Sequence, residues 1–224
     1  MTGQLNIYDR LLLLPLFQGM NSTDLDIVAG QTKFGFQHHD QGKMIISEGD
    51  VCDHLCFLMK GTLEVTSSAY DHGYSFSEFI QAPDILQPEH IFGLNQRYTR
   101  SFKTVTPCNM MTLDKSEVMR LTDEFLVFRL NLLNIISTQS QRQQRRLWHT
   151  PPQNLKQRIA RFFESHCLKP TGPKTVRIKM TRLAEELNDS RLDISNALHE
   201  MMEQGLLVLK RGCIEIPDLR LLLS

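Results

Sequence analysis

The stretch that most constrains this chain runs from Thr181 to Gly205 and reads TRLAEELNDSRLDISNALHEMMEQG. Its apolar residues fall into two sets, which are Leu183, Ala184 and Leu187, and then Ile194, Ala197, Leu198, Met201 and Met202. The spacing within each set places its members on one face of a helix. The polar pair Asn188-Asp189 predicts a tight turn between the helices. Ser190 with Asp193 resembles a capping box, and Gly205 is a typical helix stop.

Two short helices joined by a turn admit two interpretations. In a helix-turn-helix, the second helix enters the major groove of DNA. An ordinary helical hairpin in a globular core gives the same apolar spacing. The choice between these two interpretations therefore depends on features elsewhere in the chain.

The charges of the chain are divided unequally along its length. Its 224 residues carry 25 basic and 25 acidic side chains, so the net charge is zero. Residues 1–138 hold 10 Lys and Arg against 16 Asp and Glu, a net of −6, and residues 139–224 hold 15 against 9, a net of +6. Such asymmetry is expected when only one half meets phosphate. Charge segregation also occurs where two domains contact each other.

Composition favours a globular protein of a reducing compartment. Hydrophobic residues make up 41% and charged residues 22% of the chain, which is typical of soluble domains. We expect no membrane span, because no apolar run reaches the required length, and MTGQLNIYDR has no signal-peptide pattern. The five cysteines are odd in number and mostly scattered. They favour free thiols and a cytoplasmic location.

The first half of the chain changes from helical to strand-like periodicity. Residues 5–31 read as helical, and short strands separated by turn residues follow from Thr32 to about Thr112. The predicted strands cover residues 33–39, 43–47, 55–61, 62–68, 74–82, 102–107 and 109–113. Many short strands at such spacing predict a barrel or sandwich. Asp114 and Glu117 resemble a capping pair for the next short helix.

A long helix is predicted from Asp123 to Leu147, and its first half is apolar on two faces. One face carries Leu126, Leu130 and Leu133, and the other carries Phe125, Phe128, Leu132, Ile135 and Ile136. A helix with two apolar faces needs two partners, which we interpret as the strand domain and a second subunit. Burial in one large core is the alternative. His149-Thr150-Pro151-Pro152 ends the helix and predicts a hinge.

The last part of the chain completes the pattern of a winged helix. An amphipathic helix is predicted over residues 155–167 and a strand over residues 175–179, followed by the two helices described above. Residues 206–209 and 213–216 then predict a hairpin whose tip is Lys210-Arg211-Gly212. A helix, a strand, a helix-turn-helix and a basic hairpin in this order predict DNA binding.

In this order of elements the chain resembles the cyclic-AMP receptor/fumarate-nitrate regulator family of bacterial transcription factors. KMIISEGDVCDHLCFLMKGTLEVTSS resembles the early β-roll of that family, RIARFF (158–163) the first helix of its DNA-binding domain, and NDSRLDISNALHEMMEQGLL its recognition helix. The resemblance implies an α+β fold. A cyclic-nucleotide-binding-like β-roll, or double-stranded β-helix, would occupy residues 1–122, a dimerisation helix and hinge 123–149, and a winged helix-turn-helix 150–224. It also implies a homodimer formed through residues 123–147, a palindromic site on double-stranded DNA, and contact with RNA polymerase.

The effector site departs from the pattern of that family. The family carries Phe-Gly-Glu-Leu and, about ten residues later, an Arg with a small neighbour; the Glu accepts from the ribose 2′-hydroxyl and the Arg neutralises the cyclic phosphate. Here Phe92-Gly93 match, but Leu94 stands where the Glu is expected, and Arg100-Ser101 begin only seven residues after Gly93. Glu89 is the alternative carboxylate, if Pro88 replaces the glycine of the pattern. The predicted effector pocket, for an effector that the sequence does not identify, consists of Phe92, Gly93, Leu94, Arg100 and Ser101. We do not expect this effector to be cyclic AMP.

Other chemistry finds little support in the sequence. The N-terminus lacks the cysteine cluster of the iron–sulfur sensors in this family, and there is no haem signature. His38 and His39 are adjacent on a predicted strand, so they point to opposite faces and cannot share a metal ion there. Cys52 and Cys56 read as a surface thiol and a core thiol. No catalytic constellation is present, so we expect neither an enzyme nor a metal site.

The predicted DNA-contacting residues lie on the second helix and around it. The residues expected to read bases are Arg191, Leu192, Ser195, Asn196 and His199, and those expected to bind phosphate are Thr181, Arg182, Ser190, Lys210 and Arg211. Arg prefers guanine, Asn prefers adenine, and Leu192, which replaces a Glu frequent in the family, can only touch a thymine methyl. Each phosphate candidate could equally be a solvated surface charge or a cap. The predicted function is a sequence-specific transcription regulator; the alternative is a ligand sensor that acts through protein partners.

Overall fold

The predicted alternation of helical and strand segments is present in the computed structural model, which describes residues 7–147, 152 and 154–223. The helices are α1 (Ile7–Leu12), α2 (Ser22–Gln31), α3 (Lys115–Glu124), α4 (Leu126–Leu147), α5 (Leu155–His166), α6 (Met180–Leu187), α7 (Arg191–Glu203) and α8 (Arg220–Leu223). The strands are β1 (Phe34–His39), β2 (Met44–Ile46), β3 (His54–Lys60), β4 (Thr62–Ser68), β5 (Tyr74–Gln81), β6 (Asp84–Leu86), β7 (Ser101–Thr104), β8 (Cys108–Asp114), β9 (Lys174–Ile178), β10 (Val208–Lys210) and β11 (Cys213–Ile216). Each predicted strand overlaps one of these. Strand β6, helix α8 and the 3-10 turn Pro88–His90 were not predicted.

The described residues divide into two compact units. The first consists of residues 7–63 and 80–147, and the second consists of residues 64–79 and the described residues from 152 onward. The division differs from the predicted boundaries at residues 64–79, which the prediction placed with the β-roll. The predicted hinge, His149–Pro152, lies outside the described residues apart from Pro152.

The first unit contains a four-stranded antiparallel sheet in the order β1-β8-β3-β6, and strand β2 pairs with β7. Its apolar core includes the ring of Phe17, whose centroid lies 6.1 Å from that of Phe57 and 5.3 Å from that of Phe128. On β3, Leu55 and Phe57 lie on one face of the sheet and are both buried. Within the described residues, no helix is both long enough and apolar enough to cross a membrane.

The start of the helical region differs from the prediction in two details. Asp114 precedes α3, but its side chain makes no capping hydrogen bond; its Oδ1 instead lies 2.8 Å from Nε2 of His54. The histidine on the neighbouring strand β3 therefore competes for the carboxylate. The predicted helix from Asp123 begins at Leu126, because Phe125 adopts an extended conformation with φ of −120° and ψ of 105°.

Helix α4 has the two apolar faces that the sequence predicted, and the structure separates them by burial. Phe128 and Leu132 are buried in the first unit. On the other face, Leu126, Leu130 and Leu133 are 58%, 48% and 54% exposed. The second face is thus left uncovered by the described part of the chain.

The second unit is organised around the central strand β9. Its strands follow the order β10-β11-β9-β5-β4. Thr175 of β9 pairs with Glu215 on one side and with Ser77 on the other. The core beneath this sheet contains Phe76, Ile159, Phe163, Val176, Ile178, Leu183, Ile194, Leu198, Met201, Leu207, Ile214, Ile216 and Leu219. Strand β5 therefore contributes both a hydrogen-bonded edge and a core side chain to this unit.

Candidate nucleic-acid interface

Helices α6 and α7 are joined by a turn that their own polar residues stabilise. Asn188 adopts the left-handed conformation, with φ of 49°, and ends α6. Ser190 begins α7: its Oγ accepts from the backbone N–H of Asp193 at 3.0 Å and donates to the Asp193 carboxylate at 2.6 Å. The predicted capping pair is present, so the first turn of α7 is satisfied locally. Gly205, with φ of 72°, follows the end of α7.

A residue to which the sequence assigned no role, Arg158, holds this turn from outside. Its Nη1 donates to the carbonyl of Leu187 at 3.2 Å, and its Nη2 pairs with the carboxylate of Asp189. The other oxygen of Asp189 accepts from the backbone N–H of Ser190 at 2.8 Å. Arg158 is one of several basic residues on the amphipathic helix α5. A solvated surface arginine would give the same sequence pattern, so the sequence alone does not identify this contact.

The surface of α7 is divided as the sequence predicted. Ile194, Leu198 and Met201 are buried in the second unit. The predicted base-reading residues lie on other faces: Arg191, Leu192, Asn196 and His199 are exposed, and Ser195 is half-buried. Leu192 is 70% exposed. Nδ1 of His199 lies 2.7 Å from the carbonyl oxygen of Ser195, so this nitrogen donates along its own helix.

The predicted phosphate-binding residues fall into different environments. Thr181 and Arg211 are exposed, and Arg211 lies beside Gly212 in the turn between β10 and β11. Lys210 pairs with Glu215 across this hairpin at 2.6 Å. Ser190 is engaged in the cap of α7.

Arg182 is the most heavily engaged of these residues. Its Nη2 lies 2.8 Å from Asp71 and 2.8 Å from Glu186, and its Nη1 lies 3.5 Å from Glu185. Three carboxylates therefore compete for the side chain that was predicted to bind DNA phosphate.

The predicted effector residues have different surroundings. Leu94 is fully exposed. The ring of Phe92 lies 5.1 Å from Nζ of Lys115. The Oγ of Ser101 accepts from the backbone N–H of Glu48 at 2.9 Å, so this hydroxyl stabilises a turn of the first unit. Gly93 has φ of 95°, a conformation that favours glycine whatever the ligand. Arg100 is half-buried.

Two buried polar residues nearby, Gln87 and Tyr98, were not identified from the sequence. Gln87 is 6% exposed, donates to Oγ1 of Thr99 at 2.6 Å and accepts from the Thr99 backbone N–H at 3.1 Å. The Tyr98 hydroxyl donates to the carbonyl of His54 at 3.3 Å and lies 3.5 Å from Sγ of Cys56. Burial raises the pKa of the Tyr98 phenol, and burial also raises the pKa of the Cys56 thiol. Both groups stay protonated at neutral pH.

The five predicted residues do not reproduce the family's cyclic-nucleotide pattern, and the buried Oε2 of nearby Glu89 has no hydrogen-bond partner among the described residues. The carboxylate that would accept from a ribose hydroxyl is replaced by an exposed leucine at position 94, and the Ser101 hydroxyl already accepts a backbone hydrogen bond. The buried side chain of Gln87 bonds to Thr99 through both its amide nitrogen and its amide oxygen.

Metal ligation also finds no support where the chain is described. Among these residues, no group of three or more His, Cys, Asp and Glu side chains is placed to hold a metal ion. His38 Nδ1 bonds to Asn109 at 2.7 Å and His39 Nε2 to Gln37 at 3.1 Å, so the two adjacent histidines have separate partners.

Comparison with known proteins agrees with this architecture. The cyclic nucleotide-binding domain family matches residues 36–125. The catabolite activator protein of Thermus thermophilus is similar over 93% of this chain and 96% of its own, with a TM-score of 0.52 and 19% identity. The sensor domain of the transcriptional regulator DNR from Pseudomonas aeruginosa is similar over 66% of this chain and 96% of its own, with a TM-score of 0.52 and 15% identity. A search of curated protein sequences finds no match.

Sequence identities of 19% and 15% indicate a shared fold and nothing more. The family match covers β1 to α3 and the intervening strands, and helices α1, α2 and α4 flank this region in the present chain. The resemblance inferred from the sequence is thereby confirmed at the level of fold: residues 36–125 match the cyclic nucleotide-binding domain family, and the chain is similar in fold to the catabolite activator protein of Thermus thermophilus.

Proposed function

We propose that the protein is a sequence-specific DNA-binding transcription regulator that recognises a palindromic site as a homodimer. The observation that carries the proposal is the start of α7, where exposed Arg191 and Leu192 follow a capped turn that Arg158 holds. Recognition helices read base edges from their N-terminal residues. A rigid turn fixes the position from which those side chains reach the groove.

In this proposal α6 and α7 are the helix-turn-helix, and β10 with β11 is the wing. Arg191 reads guanine, Asn196 reads adenine, and Leu192 contacts a thymine methyl. The phosphates are contacted by Thr181, Ser190, Lys210 and Arg211, and also by Arg182 once its carboxylate partners release it.

Selection from random-sequence duplexes, followed by a mobility-shift assay, tests the proposal. An enriched palindrome supports it, whereas the absence of any enriched sequence favours a ligand sensor that acts through protein partners.

Replacing Arg191 with alanine is expected to weaken binding to the selected site by about 1–3 kcal/mol and to relax the preference at one base pair. The physical reason is the loss of a bidentate contact to a guanine edge. Affinities measured by fluorescence anisotropy on single-base variants of the site give both quantities. The matched control is Arg161→Ala, which removes an equal charge from an arginine that pairs with Glu164 on α5. Arg191 reads no base if both substitutions leave the base preference unchanged.

We propose that the uncovered face of α4 forms the dimer interface. Leu126, Leu130 and Leu133 lie on this face and are about half exposed or more in the single chain. Apolar side chains that a chain leaves exposed along a helix indicate a contact with another protein surface. The same helix from a second copy offers a matching apolar stripe, and a two-fold axis lets the two stripes cover each other.

Replacing Leu130 with glutamate is expected to weaken dimerisation by at least about 2 kcal/mol, because a charge would lie at the centre of an apolar interface. Analytical ultracentrifugation over a concentration series measures the change. Leu94→Glu is the control, since this leucine is fully exposed outside α4. A dimer as tight as the wild type in Leu130→Glu would place the interface elsewhere.

The similar proteins suggest two further parts of this function. One is named an activator protein and the other a transcriptional regulator with a sensor domain. We accordingly propose that this chain contacts RNA polymerase and that an effector acts through its β-roll. Mass spectrometry of small molecules that remain bound after purification under native conditions would test for the effector.

A further inference from the structure

Residues 64–79 form a hairpin, the docked hairpin, which supplies a strand to the sheet of the second unit. Strand β5 pairs with β9 in antiparallel register, with Phe76 opposite Val176 and Glu78 opposite Lys174. The chain enters the hairpin from Leu63 and leaves it at residue 80, within the first unit. The hairpin is thus a covalent link by which the β-roll can act on the second unit.

The base of the docked hairpin is anchored by buried contacts. Glu78 and Lys174 are 4% and 3% exposed, and their charged groups lie 3.0 Å apart. The ring of Phe76 stacks on that of His166, with centroids 4.9 Å apart and planes inclined by 10°. His166 Nε2 lies 3.1 Å from the Tyr74 hydroxyl. Opening these contacts would expose a charge pair and an aromatic core, so this part of the hairpin stays in place.

The tip of the docked hairpin holds Arg182. Asp71 Oδ2 lies 2.8 Å from Nη2 of Arg182, and the ring of Tyr74 lies 5.9 Å from its guanidinium carbon. The other oxygen of Asp71 accepts from the backbone N–H of Gly73 at 3.0 Å, which holds the carboxylate in the turn. A carboxylate and a phosphate both bind a guanidinium through charge-assisted hydrogen bonds. Asp71 therefore binds the guanidinium of Arg182 through the same chemistry that a phosphate oxygen would use.

The contact at the tip can exchange with water, unlike the base. The side chains of Asp71 and Arg182 are 50% and 33% exposed. Nε of Arg182 is buried and has no hydrogen-bond partner among the described residues, so the guanidinium is not fully satisfied in this arrangement. Exposed ion pairs of this kind contribute little net stability, and a competing anion can displace them.

We propose that the docked hairpin is an intramolecular competitor of DNA, in which Asp71 and a backbone phosphate bind the same guanidinium of Arg182. The competition lowers DNA affinity until the tip contact opens, while β5 remains paired with β9. A change in the β-roll that shifts the hairpin tip would alter DNA affinity through this one residue. The proposal rests on the proposed function, because it takes Arg182 as a phosphate ligand.

A double-mutant cycle on the full chain tests the competition. Asp71→Asn, Arg182→Ala and the double variant are compared by fluorescence anisotropy at one salt concentration, on the duplex enriched by the wild type. Asn keeps the oxygen that accepts from Gly73 and removes the charge. Asp71→Asn is expected to raise affinity about two- to fivefold when Arg182 is present and to have no effect in Arg182→Ala.

A matched control separates the specific contact from net charge. Asp40→Asn removes one negative charge from a side chain that is 81% exposed in the first unit. Its effect is expected to be small and equal in both backgrounds. The competition is overturned if Asp71→Asn leaves affinity unchanged, or raises it equally with and without Arg182.

Hydrogen exchange tests the anchored base. The backbone amides of residues 75–78 are expected to stay protected when the duplex is bound; loss of that protection would overturn the anchored arrangement. If no duplex is enriched and no variant binds DNA, the proposed function fails together with the competition. That result differs from an enriched duplex that Asp71→Asn binds like the wild type, which overturns the competition alone.

Discussion

Replacing Glu78 with alanine is expected to lower the free energy of unfolding of the second unit by about 3–5 kcal/mol. The carboxylate accepts from the backbone N–H of Leu168 at 2.6 Å and pairs with Lys174, whose Nζ also donates to the carbonyl of Thr171 at 2.8 Å. Alanine would leave the ammonium of Lys174 buried without its counter-charge. Removal of one partner from a buried pair is costly because the remaining ion is desolvated and uncompensated.

Hydrogen exchange of the slowest amides of β9 and α7, followed in urea, measures this loss for the second unit by itself. Glu215→Ala is the control, because its ion pair with Lys210 is exposed and contributes at most about 1 kcal/mol. Replacing both members, as Glu78→Leu with Lys174→Met, should recover much of the stability, since no charge then remains buried. Equal stability of Glu78→Ala and the wild type would mean that the pair is solvated in solution.

Replacing Phe76 with alanine is the second substitution with a large expected effect, again about 3–5 kcal/mol. This ring is 3% exposed and packs against the rings of Phe162, Phe163 and His166. Its loss leaves a cavity in the core of the second unit, and the surrounding rings can only partly collapse into it. The same measurement in urea reports the effect.

Phe36→Ala is the matched control for Phe76→Ala. Phe36 is 64% exposed on β1, so its truncation should change stability by no more than about 0.5 kcal/mol. A small effect of Phe76→Ala on the exchange of α7 amides would contradict the assignment of residues 64–79 to the second unit. A large effect would mean that the second unit needs Phe76 in its core. Residues 150–224 expressed alone would then lack this side chain, because it comes from residues 64–79.

Taken with the Asp71 cycle, these substitutions separate the two roles of the docked hairpin. Glu78 and Phe76 are buried and should change the stability of the second unit. Asp71 is exposed and should change only the availability of Arg182.

Much of the candidate interface could be predicted because its signals are local. The cap formed by Ser190 and Asp193 spans three residues, and the buried face of α7 repeats with the period of the helix. The uncovered leucines of α4 were likewise visible as a second apolar stripe. Signals of this kind depend only on neighbours in the sequence, so no knowledge of the fold is needed to find them.

Non-local contacts account for what the sequence did not reveal. Arg158 contacts turn residues that lie 29 and 31 positions away in the sequence. A basic side chain on an amphipathic helix shows no sequence pattern from which its partner could be predicted. Gln87 and Tyr98 are polar residues between strands, where solvent exposure is the default expectation. Asp114 was expected to cap a helix, and a histidine on an adjacent strand takes its carboxylate instead.

The sequence by itself determined the order of elements, the face that α7 exposes and the departure from a cyclic nucleotide site, because each follows from residue type and short-range spacing. Only the tertiary structure decided that β5 pairs with β9 and that Asp71 binds Arg182. Strand pairing joins segments about 100 residues apart through backbone groups that every residue carries. The partner of a strand, and the ion pairs that this pairing creates, are therefore set by how the whole chain packs.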